Sequence, residues 1–230
     1  MQKIFFTALV AGLLAGIFVF AVQTLKLTPL ILEAEVYEDA DAAKKEAAKE
    51  AQDAAMGMPH MKMQEEAWEP ANGIERNSWR FVADLGVGVG FALMLVGAFS
   101  LRGDPMDVRR GVLWGLAGFT VFSLAPGFGL PPELPATMAA ALTERQTWWI
   151  GTALATAIAL YLIVFKPSNG MKALGVAILV LPHIIGAPKA PLGGVVPTEL
   201  NAEFAAASLA TMAMFWVVLG GLSGWIYSRR

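Results

Sequence analysis

Two places in this chain carry side chains suited to coordination chemistry: the run MGMPHMKM, Met56 to Met63, and the segment LPHIIGAP, Leu181 to Pro188. In the first, Met56, Met58, Met61 and Met63 surround His60, and Gly57 and Pro59 keep the loop from forming a regular helix. Thioether sulfur and imidazole nitrogen are soft to borderline donors, so such a loop can wrap copper(I) or offer one imidazole to a divalent ion. The plainer reading is an apolar patch on a loop. In the second, His183 is the one histidine inside an apolar segment and follows Pro182, which should break its helix. An ionisable group at membrane depth is costly and normally faces a cavity or a partner. The bland reading is an interfacial histidine bonded to a neighbouring carbonyl. There is no cysteine, so any metal must be held by His, Met, carboxylates or backbone oxygens.

The elements that must position these residues are membrane helices. With 56% hydrophobic and 16% charged residues over 230 positions, the chain is too apolar for a soluble domain of that length. The bases do not gather on one soluble face, which sets nucleic acid aside. We read an all-α integral membrane protein with six spans near 4–25, 81–101, 111–130, 148–165, 172–187 and 204–228. The first run also has the features of a signal peptide, but its length and its continuation through residues 27–32 favour a retained span. Pro29 should bend the chain, and residues 30–55, rich in Ala, Glu, Asp and Lys, should leave the membrane as a helix with an Asp41–Lys45 pair. Residues 30–79 thus form a long extracytoplasmic first loop, a helix followed by the methionine-rich stretch.

Orientation follows from the short loops. Placing both termini in the cytoplasm puts Lys3, Arg102, Arg109, Arg110, Lys166, Lys172, Arg229 and Arg230 inside. It also puts every acidic residue except Asp104 and Asp107 at the outer face, with Asp84 at the outer interface. Trp68, Trp79, Trp148, Trp149, Trp225 and Tyr227 mark span ends. Gly86, Gly88 and Gly90 alternate where a close helix contact is expected.

ERNSW, Glu75 to Trp79, and ERQTW, Glu144 to Trp148, each precede an apolar span, a short basic loop and a second span, as two copies of one hairpin would. Each copy closes in proline and glycine: Pro126 to Pro132 in the first, Pro182 to Pro191 in the second. Interrupted apolar segments at corresponding positions of two repeats point to a transporter's binding site, because proline frees carbonyl oxygens that bind cations. His183 should then meet the break near Pro126 to Pro132, with Glu133 adding a carboxylate. Ordinary punctuation at helix ends is the alternative for these prolines.

The opening span running into LTPLILEAEVYE (Leu27 to Glu38), GLPPELP (Gly129 to Pro135) and LPHIIGAP together resemble the CbtA family, a subunit of a bacterial cobalt transporter linked to cobalamin biosynthesis. The resemblance covers the whole chain in span order. It implies a small single-span partner, CbtB, with a histidine-rich tail, and an inner-membrane location. It implies places for His183, Glu133 and Glu33 in an ion path. Members of the family are described with five spans, which implies a re-entrant fifth segment around Pro182. The expected cargo is cobalt(II), with nickel(II) or copper(I) as alternatives and no permanently bound cofactor. The methionine loop is a departure, since methionine favours copper(I). No glycine-rich phosphate loop with Lys and Ser or Thr is present and no nucleophile arrangement stands out, so ATP hydrolysis and enzyme activity are not expected. The rivals are copper handling through the methionine loop and a scaffold or sensor subunit that moves nothing. Oligomeric state is not legible.

Overall fold

The first helix, α1, spans Gln2–Lys26, and the chain passes through Leu27 straight into α2, Thr28–Ala55. Leu27 keeps helical dihedrals and its N–H bonds to the Gln23 carbonyl, so the hydrogen-bonded course continues from one helix into the next. Pro29 falls in the first turn of α2, where a missing N–H costs no hydrogen bond. The boundary between the two helices falls at Leu27, two residues before the Pro29 expected to bend the chain. Beyond Ala34, which is buried, α2 is largely exposed; it carries the Lys45–Asp41 pair at 2.6 Å.

The structure, a computed structural model, describes residues 1–56, 68, 70–191 and 193–229. Among them the regular elements are helices, apart from one antiparallel bridge between Thr137 and Gly194. The third helix, α3, spans Ile74–Arg102 and ends at Gly103, whose φ of +72° suits glycine. The Asp107 side chain then caps α4, Val108–Phe119, by accepting from the Arg110 N–H. Without a break α4 widens into a π-helical turn, Thr120–Leu124, followed by the short α5, Ala125–Gly127. After the proline-rich segment come α6, Leu142–Phe165, α7, Asn169–Ile185, and α8, Thr198–Ser228.

Four of these, α1, α3, α6 and α8, are long and apolar enough to cross a membrane, and α7 is apolar but only 17 residues long. Large apolar side chains such as Ile17, Met94, Leu154 and Ile158 stand exposed, as lipid-facing groups do. The helices α3, α6 and α8 begin before the apolar windows at 81, 148 and 204, because their polar first turns are helical too. Pro182 does not end α7; the helix continues to Ile185 and stops at Gly186, whose φ of +86° no helix accommodates. A proline in the last turn removes only the bond to the Ile178 carbonyl.

Glycines decide which helices touch. A Cβ on Gly12 would lie 2.5 Å from the Val89 Cα, and one on Gly16 2.8 Å from the Asp84 carbonyl oxygen, so α1 and α3 meet backbone to backbone. Gly111 and Gly115 of α4 press in the same way on Gly220 and Gly224 of α8. Of the alternating set, Gly88 faces Gly12 while Gly86 and Gly90 face open space. Phe99, Phe215, Trp216 and Leu219 fill the core between these pairs, with Ala8, Ala15 and Ala92. The second hairpin differs: α6 packs on α7, where Gly175 lies against the Ala159 carbonyl. The two copies expected from ERNSW and ERQTW therefore share an order of elements but not a packing, since α3 and α4 turn their small residues to α1 and α8 and barely touch each other. The α6–α7 hairpin meets the rest mainly along Thr120–Gly127.

Candidate metal path

The turn Thr120–Gly127 is where the helical ladder fails. The Ala125 N–H reaches back five residues to the Thr120 carbonyl, and Pro126 has no N–H to offer Phe122 or Val121. Carbonyl oxygen is thereby released from the ladder in an apolar setting, where it gains from a polar or ionic partner. Two cavities flank this turn. Thr120, Leu124, Ala125 and Phe128 border one of about 760 Å³, together with Trp148 and His183. Phe122, Ser123, Pro126 and Gly127 border the other, of about 670 Å³, together with Glu133, Arg145, Gln146 and Trp149.

His183, in the last turn of α7, stands edge-on to two rings, with centroid distances of 6.2 Å to Phe128 and 6.0 Å to Trp148. Gly129 lets the chain pass here, because a Cβ on it would lie 2.8 Å from Ala187 and run into the Trp148 ring. The two interrupted segments thus lie side by side. Glu133 lies across the turn from His183, in the other cavity, and its Oε2 is 3.2 Å from the Arg145 guanidinium. The carboxylate expected beside His183 at the break is therefore paired with Arg145 in the neighbouring cavity.

Glu33 is exposed on α2 and borders neither cavity. Met56 ends α2, exposed, with its N–H on the Gln52 and Asp53 carbonyls. Met58, His60, Met61 and Met63 lie outside the described residues. Among the described residues no group of three or more His, Asp or Glu side chains is placed to hold a metal ion. A cation at either cavity would have to complete its coordination with hydroxyl, amide or carbonyl oxygen.

Sequence reasoning passed over a polar cluster where α1, α2 and α3 meet. Asp84 is not at the surface: it is 9% exposed, and its Oδ1 accepts from the Gln23 amide at 3.4 Å. One turn earlier, Arg80 donates to Thr28 Oγ1 at 2.6 Å and to Thr24 Oγ1 at 2.5 Å, and lies 5.2 Å from the centre of the Phe20 ring. Arg76, a further turn away, pairs with Glu35 of α2 at 2.5 Å. The signal was the four-residue spacing of Arg76, Arg80 and Asp84, which puts all three on one face of α3. Arg145 is equally visible inside ERQTW, but nothing in the sequence marks it as a partner for Glu133.

Long apolar helices packed through glycine, with an interrupted helical run between two cavities, make this an all-helical membrane protein. The family model for CbtA, described as a probable cobalt transporter subunit, matches residues 1–228, and the chain belongs to that family. It is thus a membrane subunit of a metal-transport system, and a subunit implies a partner. No curated protein matches the chain, and no solved structure matches it.

Proposed function

We propose that this chain is the permeating subunit of a cobalt(II) uptake system in a bacterial inner membrane, supplying cobalamin biosynthesis and acting with a single-span CbtB-type partner. It crosses the membrane six times, counting the α4 run through Gly127 and α7, with both termini in the cytoplasm. The acidic residues of α2 form an outer vestibule that concentrates cations. Met56, Met58, His60, Met61 and Met63 capture the ion there, Glu33 lies along its approach, and Glu133 and His183 pass it across the Thr120–Gly127 turn. Each unit charge moving down the membrane potential gains about 2.3 kcal/mol per 100 mV, so a dication can be driven inward without ATP chemistry in this chain.

The observation that carries this reading is the Thr120–Gly127 turn, which has the Glu133 cavity on one side and the His183 cavity on the other. The test is cobalt accumulation in a host lacking its own transporters, with and without the partner. His183→Ala is expected to lower uptake by about tenfold or more, as loss of a metal-orienting group does. Deleting Met56 to Met63 should weaken uptake at low cobalt and spare it at high cobalt. Equal uptake by wild type and His183→Ala, or copper rising in place of cobalt, would overturn the assignment.

A further inference from the structure

We propose that Arg145 is a tethered counter-cation that occupies Glu133 until a divalent ion displaces it, so that Arg145 sets the threshold and the charge selectivity of the Glu133 cavity. This rests on the metal-transport reading above and adds to it the residue that competes with the cargo.

Three features make the pair an exchangeable one. It is a single contact of 3.2 Å between side chains that are 34% and 24% exposed, and ion pairs in such settings are weak. Arg145 stands in the first turns of α6, where the helix macrodipole disfavours positive charge. Glu133 is what favours its position there. The carboxylate, by contrast, is mounted rigidly: Pro131, Pro132 and Pro135 flank it, and Leu134 is buried against Leu200 and Phe204. When the pair separates, the arginine is the side that moves.

What replaces it follows from charge. A monovalent ion brings no more charge than the guanidinium already supplies, whereas a dication doubles the attraction at the same distance. Ser123 and Gln146 border the same cavity and carry side-chain oxygens of the kind a hard or borderline dication takes.

The experiment titrates cobalt(II) alone into the purified full-length chain in detergent, following heat and visible absorbance. Arg145→Gln should tighten binding about fivefold, the order of one partly exposed ion pair, and let potassium compete at concentrations that leave wild type unaffected. Arg145→Lys, which keeps the charge, should stay near wild type, as should Lys189→Gln, a loss of charge outside the cavity. In the Glu133→Gln background, Arg145→Gln should bring no tightening. Unchanged or weaker binding by a folded Arg145→Gln protein, or tightening that persists without Glu133, would overturn the inference. If His183→Ala abolishes uptake while Arg145→Gln binds as wild type, this inference fails and the transport reading stands. If Arg145→Gln tightens binding while His183→Ala transports normally, the reverse holds.

Discussion

Arg80 spends its two terminal nitrogens on Thr24 and Thr28, one on each side of the Leu27 junction, and so ties α3 to the end of α1 and the start of α2. Replacing it with Gln should cost about 2 kcal/mol, the range of hydrogen bonds to charged groups, read as a lower unfolding midpoint in detergent. Asp104→Asn, which breaks the exposed Arg102–Asp104 pair, should change stability by less than about 0.5 kcal/mol. Rarity made some residues legible from sequence: a lone histidine in an apolar segment and a glutamate among prolines announce themselves. Asp84 did not, because a hydropathy window that opens at Phe81 places it near an edge without showing that α1 covers it. Arg145 needed its partner to be seen, and that partner lies twelve residues away across a non-helical segment.

At the scale of elements, the two sides of α3 make opposite predictions for the same substitution. Gly88→Val should push α1 and α3 apart and cost about 1–3 kcal/mol, as overpacking does. Gly86→Val, facing open space, should be tolerated within about 0.5 kcal/mol. Thermal unfolding of the two variants side by side checks both. The sequence offered Gly86, Gly88 and Gly90 as an equal set, and only the partner's position separates them. At the broken turn, Pro126→Ala restores an N–H that the Phe122 or Val121 carbonyl can accept, so cobalt uptake should fall roughly tenfold at unchanged membrane abundance, as for loss of a supporting group around a metal. The break was legible from Pro126; the π-helical turn before it was not, since a one-residue widening depends on how α4 seats against α8 and α6.

The whole molecule has no cysteine, which makes its orientation directly measurable. With both termini in the cytoplasm, Met138→Cys should react with an impermeant maleimide added outside intact cells, and Ser168→Cys only after the membrane is opened. Both positions are exposed on the protein. The reverse pattern would invert the proposed path. Each apolar window of the sequence overlies a helix or helical run, because hydropathy reports lipid contact. Which helices pair was much less legible, and the apparent duplication misled on this point: side-chain size along one face chooses a partner, and that choice differs between the copies. The glycine contacts also divide the molecule mechanically. Backbones pressed together at α1–α3 and α4–α8 cannot slide without climbing over one another. The α6–α7 arm bears on a short turn and on the Trp114, Phe122 and Phe128 rings, a smaller contact without backbone-to-backbone packing. The molecule divides into a closely packed frame and one arm, and the arm's bearing is the same turn that separates the histidine from the glutamate, so a tilt of the arm would change both cavities in a single stroke.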